Sequence, residues 1–271
     1  MQYSVLMSLY KKENPEWFRL AVQSMLDQTV PPDEIVIVED GPLPDDLECV
    51  VRAFEENNRN LFKIIRNPVN QGLGIALNCG LKECRNEIVA RMDTDDISFP
   101  DRCEKEIQCL EQESEIVLVG SWVDEFIDDP HNIISTRKVP CEHDEIRKFA
   151  KRRNPFNHPT VIFRKSIIEK LGGYSDYRYG QDYELFGRII IMGYRVKNIP
   201  QSLLWFRRNV NTSKRRKNRE SIQCYLKTIR KFQMLGFSNH FDYIFVYITQ
   251  NILRCLPNVC IELLYSVIRK Y

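Results

Sequence analysis

The first ninety residues alternate between two hydrophobic rhythms. Ser4–Leu9, Glu34–Val38, Phe62–Arg66 and Ile88–Ala90 are short, nearly continuous apolar runs, the pattern of strands covered on both faces. The segments between them repeat with helical spacing. Trp17, Ala21 and Met25, flanked by Phe18 and Val22, form one stripe. It opens at Asn14-Pro15, an N-cap followed by proline at the first helical position, and ends near Gln28. A second helix is predicted over Leu47–Asn57 and a third over about Ile75–Cys84. This β-α-β-α-β-α-β order through residue 92 predicts an α/β fold built on a doubly wound, mostly parallel sheet.

Pro100 opens a further helix over 101–112, and Ile116–Gly120 reads as another strand. The rhythm then changes. Short strands are predicted at Trp122–Ile127, Ile133–Val139 and Thr160–Phe163, then a helical turn at Ser166–Leu171 stopped by Gly172-Gly173. The helix Tyr183–Met192 follows, then strands at Val196–Ile199 and Leu203–Phe206. Arg207 to Lys217 is a basic loop, and Glu220–Leu235 is a helix with Ile222, Leu226, Ile229 and Phe232 apolar. Phe241–Tyr271 is rich in aromatic and aliphatic residues and broken by Pro257. Either it packs on the body, or, with its basic neighbours, it lies on an anionic membrane surface.

Candidate chemistry concentrates where the Ile88 strand ends. Three carboxylates follow within four residues: Asp93, Asp95 and Asp96. Carboxylates at i and i+2 beyond a strand project to one side. The like charges repel, and a divalent cation relieves that repulsion. All-oxygen ligands favour Mg²⁺ or Mn²⁺, ions that keep waters and bridge to substrate phosphates. The ordinary alternative is an acidic turn with no ligand. Ligands of doubly wound sheets bind at the strands' C-terminal ends. Asp40, the loop bearing Gly72 and Gly74, and Asp93–Asp96 all fall at that edge, which favours the metal–phosphate reading. No G-K-[ST] follows the glycine loop and no dinucleotide fingerprint follows strand one. Asp182, just after Gly180, opens a helix, where an acid can serve simply as a cap favoured by the helix dipole. His158 lies in a loop before a strand.

The chain has 271 residues, 43% of them apolar, and a net charge of +2. The charge is unevenly spread. Residues 1–200 carry 26 Lys and Arg against 34 Asp and Glu, and residues 201–271 carry 13 against 3. A basic tail on an acidic body points to an anionic partner. The nine cysteines form no C-x-x-C pair, which argues against a zinc ribbon and fits a reducing compartment. Cys103 falls on the apolar side of its helix as a small core residue. The N-terminus reads as a strand, not a signal peptide. No run reaches the roughly 18–20 apolar residues of a membrane span.

Taken together, these residues resemble the family 2 glycosyltransferases with the GT-A fold, above all bacterial enzymes of O-antigen, capsule and exopolysaccharide assembly. The resemblance spans about residues 3–210. It rests on Ser4–Ser8, Gln23–Thr29, Val38-Glu39-Asp40-Gly41, and Asn70–Gly74 with Asn78. It continues through Ala90–Asp96 with Pro100-Asp101-Arg102, His158-Pro159-Thr160 and Gly180–Leu185. It implies a Rossmann-like GT-A domain over 1–210, with a nucleotide-binding half (1–120) and an acceptor half (121–210), and a helical, membrane-associating tail over 211–271. By the same resemblance Ser8, Leu9, Tyr10, Glu39 and Asp40 meet the nucleotide, with Glu39 replacing the first acid of the usual Asp-Asp pair. Asn70, Gly72 and Asn78 line the nucleotide cleft, and Arg91 binds substrate beside them. Asp93 and Asp95 are the D-x-D carboxylates holding Mn²⁺ or Mg²⁺, Asp93 also facing substrate and Asp96 supporting them. Asp182 is the general base, although Gln181 replaces the acid that usually precedes it, and His158 either contacts the acceptor or is a loop histidine hydrogen-bonded to backbone. Phe206-Arg207-Arg208-Asn209 stands where the family often has Tyr-Arg-x-His.

The implied activity is inverting, metal-dependent transfer of one hexose from a UDP-sugar to a lipid-linked, undecaprenyl-type saccharide. The implied location is cytoplasmic, on the inner face of the cell membrane. Nucleic acid is not an expected partner, because the body is net acidic. Two other classes would require different features. A sugar-phosphate nucleotidyltransferase would carry a glycine-rich basic loop after strand one, where this chain has Tyr10-Lys11-Lys12. A non-catalytic membrane- or nucleic-acid-binding module built on Lys214–Lys217 would need neither the D-x-D acids nor Asp182.

Overall fold

The computed structural model describes residues 1–58, 60–208 and 218–255. Its first half follows the sequence pattern closely: β1 (Tyr3–Leu9), α1 (Pro15–Leu26), β2 (Glu34–Glu39), α2 (Asp45–Asn57), β3 (Phe62–Arg66), α3 (Leu73–Glu83) and β4 (Ile88–Arg91). The Asn14 side chain caps α1, accepting from the backbone N–H groups of Glu16 (2.9 Å) and Trp17 (3.1 Å). β1 pairs in parallel with both β2 and β4, and β2 with β3. Side chains alternate across the sheet. Leu6 and Val36 join Leu77 and Leu81 of α3 on one face. Val5, Met7, Ile35 and Ile37 meet Phe18 and Val22 of α1 on the other.

The second half comprises β5 (Ile97–Ser98), α4 (Arg102–Gln112), β6 (Ile116–Phe126), β7 (Ser135–Arg137), α5 (His143–Ala150), a 3₁₀ turn at His158–Thr160, β8 (Ile162–Arg164), α6 (Lys165–Lys170), α7 (Gln181–Ile191) and β9 (Arg195–Arg207). The strand order is β3-β2-β1-β4-β8-β6-β9-β5, with β7 on β6. β8 runs antiparallel between β4 and β6, and β5 runs antiparallel to β9. The sheet is therefore mixed, which corrects the expectation of a mostly parallel one. Helical crossovers impose parallel pairing up to β4. Beyond β4 the strands β5, β7 and β8 run in the opposite sense, while β9 again pairs in parallel with β6.

Three local expectations change for physical reasons. Pro200 breaks the apolar run into two apparent strands, yet Arg195–Arg207 is one strand that absorbs the proline at an irregularity in its pairing with β6. The predicted strand Ile133–Val139 shrinks to Ser135–Arg137, and Thr160 belongs to the 3₁₀ turn. α5 was not anticipated; it buries only Ile146 and Ala150, too short a stripe to read as a helix.

Two C-terminal helices, Arg219–Met234 and His240–Cys255, complete the described chain. The first is body, not appendage. Ile229 and Phe232 are fully buried in the core that holds Tyr183 and Phe186 of α7. Phe232 packs directly over Gly187, where an added Cβ would collide with its ring. The second helix buries Val246 but leaves Phe241, Ile244, Phe245, Tyr247, Ile248 and Ile252 exposed. No described helix is long and apolar enough to cross a membrane. Asn209, the basic run Lys214–Lys217 and residues 256–271 of the predicted tail lie outside the described residues.

Candidate active site

The C-terminal ends of β1, β2 and β4 open onto one cleft of about 1800 Å³. Beyond Arg91 the chain turns through Asp93–Asp96, and ligand oxygens of Asp93, Asp95 and Asp96 lie within 4.8 Å of one another. The turn is held from both sides. The Thr94 hydroxyl donates to Glu13 (2.9 Å). From the end of β9, the Arg207 backbone N–H donates to Asp96 Oδ1 (2.8 Å) and the Arg207 Nε–H to the Asp95 carbonyl (2.9 Å). The Arg207 guanidinium in turn lies over the rings of Trp17 (4.7 Å) and Phe126 (4.5 Å).

Asp96 is fully buried, and its Oδ2 has no hydrogen-bond partner among the described residues. Burial, reinforced by Asp95 and Asp93, raises its carboxyl pKa well above the ordinary range. A buried acceptor left unsatisfied beside two more carboxylates is costly for the protein alone. The all-oxygen donor set fits a hard divalent cation such as Mg²⁺ or Mn²⁺. Asp93 and Asp95 would hold it, with Asp96 within the same reach.

Arg91, 1% exposed, pairs with Asp93 through Nη2, while its Nε and Nη1 have no hydrogen-bond partner among the described residues. Behind it, fully buried Arg102 of α4 donates to the carbonyls of Pro159 (2.6 Å) and Arg91 (3.4 Å). It thereby ties the acidic turn to the His158-Pro159 turn. It also faces Glu106 at 3.7 Å, whose carboxyl burial pushes up to about 8.

The nucleotide-side loop is clasped by Asp40. Its carboxylate accepts from the N–H groups of Gln71 (2.8 Å) and Gly72 (2.9 Å), and its carbonyl accepts from Asn70 Nδ2 (3.0 Å). The next residue must be glycine. Gly41 has φ +91°, and an added Cβ would sit 2.8 Å from the Asn70 nitrogen.

Asp182 stands in the first turn of α7, after Gly180. Its Oδ2 accepts from Asn154 Nδ2 at 2.7 Å. Burial raises its pKa, opposed by hydrogen bonds from its own and the Tyr183 backbone N–H, by Arg91 and by Asn154. A carboxylate so placed is an ionisable acceptor in a partly desolvated wall, the environment suited to proton abstraction.

The structure gathers most of the predicted positions. Ser8, Tyr10, Asp40, Asn70 and Gly72 line one part of the cleft, and Arg91, Asp93, Asp95, His158 and Asp182 also line it. Three positions do not. Leu9 is fully buried in the core against α1. Glu39 is buried and faces Arg66 of β3 at 3.4 Å, because adjacent strand residues point to opposite sides of the sheet. Asn78 makes two hydrogen bonds to the Tyr174 backbone, accepting at 2.7 Å and donating at 2.8 Å, so it anchors the loop before α7. His158 forms wall. Its Nε2 lies 3.1 Å from the Tyr174 hydroxyl, its ring packs on Phe186, and burial, then Arg91, hold its pKa well below the usual value. The roles of Glu13, Trp17, Asn154 and Arg207 emerge only from the structure. Arg207 alone left a trace, in the Phe206-Arg207-Arg208-Asn209 segment that stands where the family often has Tyr-Arg-x-His; it closes β9 rather than opening the predicted basic loop.

A parallel β/α half, a mixed second half and an acidic turn where the two meet define the class: GT-A glycosyltransferases. The chain belongs to the family described as "Glycosyl transferase family 2", whose model matches residues 4–172, and it is a glycosyltransferase. It is 36% identical over 270 residues to the amylovoran biosynthesis glycosyltransferase AmsE of Erwinia amylovora, covering 99% of both chains. It is 34% identical to an Escherichia coli UDP-Gal:α-D-GlcNAc-diphosphoundecaprenol β-1,3-galactosyltransferase, covering 100% of this chain and 98% of the other. A Pyrobaculum calidifontis mannosyltransferase, solved with GDP-Man and Mn²⁺, superposes with a TM-score of 0.67 at 16% identity. That match covers 100% of this chain and 81% of the other. At that identity the likeness is one of fold.

Proposed function

We propose that the chain transfers one hexose, with inversion, from a UDP-sugar to a lipid-linked saccharide in bacterial surface-polysaccharide biosynthesis. The observation that carries this reading is the presence in one cleft of the Asp93–Asp96 turn, the unsatisfied donors of Arg91, and Asp182 on a separate element. The two relatives above support it through the polysaccharide, UDP-sugar and lipid diphosphate in their names.

Each residue then has a chemical task. Asp40 and the Asn70–Gly72 loop shape the nucleotide side, with Ser8 and Tyr10 beside them. Arg91 directs its free N–H groups to the donor diphosphate, where charge grows as the glycosidic bond breaks. Asp182 accepts the proton of the acceptor hydroxyl, worth roughly 10²–10⁴-fold. The hydroxyl oxygen bonds to the anomeric carbon from the face opposite the diphosphate, and UDP leaves with the electron pair. One carboxylate suffices for this single displacement, unlike the pair needed by retaining glycosidases. Asp93 and Asp95 would hold a divalent cation, which would supply Lewis-acid neutralisation of the leaving diphosphate.

In this reading residues 1–120 serve the donor and 121–210 the acceptor. The exposed apolar stripe of the helix His240–Cys255 rests on an anionic membrane surface at the cytoplasmic face. The test is calorimetric titration with UDP, with and without Mn²⁺, followed by transfer from UDP-galactose to a GlcNAc-diphosphate lipid. UDP binding that needs Mn²⁺ and transfer abolished in Asp182→Asn are the expected results. Absence of nucleotide binding would overturn the reading.

A further inference from the structure

The cleft does not end at Asp182. Pro140, Glu145, Phe149 and Arg153 line both the cleft and a second, open hollow of about 590 Å³ between α5 and the helix His240–Cys255. Arg153 directly precedes Asn154, the residue bonded to Asp182. The hollow is cationic: Lys148, Lys151, Arg152 and Arg153 line it against two acids, Glu145 and Asp242. Asp242 is already committed to Arg152 at 2.5 Å and to the Asn239 backbone. Lys148, Lys151 and Arg153 make no ion pair among the described residues. Arg153 lies over the Phe149 ring (5.1 Å) and Arg152 over Phe245 (4.9 Å), so both guanidinium planes are braced by aromatic faces. Phe245 belongs in turn to the exposed apolar stripe, whose side chains range from 41% (Ile244) to 78% (Phe241) exposed.

Three chemistries thus succeed one another along the surface: a carboxylate in the cleft, a cationic hollow, and an apolar helix face. A saccharide joined through a diphosphate to a long hydrocarbon presents the matching groups in the same order. We propose that this hollow binds the diphosphate of a polyprenyl-diphosphate-linked acceptor, with Lys148 and Arg153 as its main phosphate contacts. The saccharide then points towards Asp182, and the hydrocarbon leaves over Phe245 and the helix His240–Cys255. Guanidinium and ammonium groups bind phosphate oxygens through charge-assisted hydrogen bonds, and the aromatic face covers the first isoprene units. The proposal rests on the transferase reading above, because it orients the acceptor relative to that reading's base.

The test uses geranylgeranyl diphosphate as probe, titrated into the full chain with UDP and Mn²⁺ saturating, so that the donor side is filled. The wild type is expected to bind it at least about tenfold more tightly than either inorganic diphosphate or geranylgeraniol. In the double variant Lys148→Ala/Arg153→Ala that affinity should fall about tenfold or more, with the UDP affinity unchanged. Both side chains are exposed, and retained UDP binding reports an intact fold. Equal probe affinity in variant and wild type, with UDP still bound, would overturn the hollow's role and leave the transferase reading standing. Wild-type binding to phosphatidylglycerol vesicles without binding of the soluble probe would overturn it in favour of a bare membrane contact. Failure of the wild type to bind UDP would remove the transferase reading, and this proposal with it.

Discussion

The side-chain amide of Asn154 donates to Asp182 Oδ2 at 2.7 Å, joining the segment after α5 to the first turn of α7. The bond favours the ionised carboxylate, while burial favours the protonated one. A general base works only when deprotonated. Activity should therefore fall as the pH drops through the pKa of Asp182, which burial has raised. Asn154→Ala removes one of the groups that lowers that pKa. The acid limb of the kcat/KM profile should move to higher pH and kcat should drop about 10- to 100-fold. UDP affinity should stay constant. A pH profile of the variant that superposes on the wild type would rule out this coupling.

Asp95 and Asp182 should separate cleanly by what they break. Asp95→Ala is expected to abolish Mn²⁺-dependent UDP binding, because it removes one of the carboxylates facing the same point. Asp182→Asn keeps shape and hydrogen bonding and should spare that binding while stopping transfer. Calorimetry and a transfer assay on the same two variants decide the matter. UDP bound equally well with and without metal by the wild type would show that the acidic turn has another role.

Arg207 holds the turn without being one of its acids. It makes a hydrogen bond to the Asp95 carbonyl and sits between two aromatic rings. Arg207→Ala leaves the backbone N–H bond to Asp96 but releases the other contacts. Loss of a charged hydrogen bond is worth about 1.5–3 kcal/mol, so metal-dependent UDP affinity should weaken roughly 10- to 100-fold. Arg207→Lys should restore little, since an ammonium cannot reproduce the stacked plane. Rescue by lysine would mean that charge alone matters.

What the sequence disclosed and what it withheld divide at residue 120. Up to β4 each strand is a short, mostly apolar run and each helix an apolar stripe, so period alone located them within a few residues. The cleft positions at the strands' C-terminal ends, Asp40, Asp93 and Asp95, followed from that register, and Arg91 from the family resemblance. Leu9 and Glu39 failed on the same rule at finer grain, because a neighbouring strand residue points the other way. Beyond residue 120 the order of strands depends on which edge a turn returns to. Nothing local in Ile162-Phe163-Arg164 says that it will run antiparallel between β4 and β6. Asn154 and Glu13 were illegible for a related reason: each is a lone polar residue whose partner lies 28 or 81 positions away.

The C-terminal helix Arg219–Met234 should be part of the folding unit. Phe232 is fully buried over Gly187, edge-on to Tyr183 (5.4 Å) and Phe237 (5.7 Å). Phe232→Ala is expected to cost about 3–5 kcal/mol, read as a lower midpoint in urea with an unchanged slope. Removing an appendage contact would leave the midpoint where it is.

His158 supplies a stability signature that separates wall from acceptor contact. Burial and the Arg91 charge depress its pKa well below 6.5 in the folded protein, and its Nε2 lies 3.1 Å from the Tyr174 hydroxyl. In the unfolded chain it titrates near 6.5. Below that pH the unfolded state binds a proton that the folded state refuses. Stability should therefore fall as the pH drops from about 6.5 towards the folded pKa, with a slope of up to about 1.4 kcal/mol per pH unit from this residue. Above pH 7 this contribution is fully retained. Many carboxylates also titrate in acid, so the informative quantity is the difference between wild type and His158→Gln. Glutamine can still meet the Tyr174 hydroxyl but does not titrate. The variant's deficit in urea midpoint should be largest at pH 7.5 and shrink or reverse by pH 5. A deficit constant across that range would mean that His158 titrates alike in the folded and unfolded chain, and would return it to the list of candidate acceptor contacts.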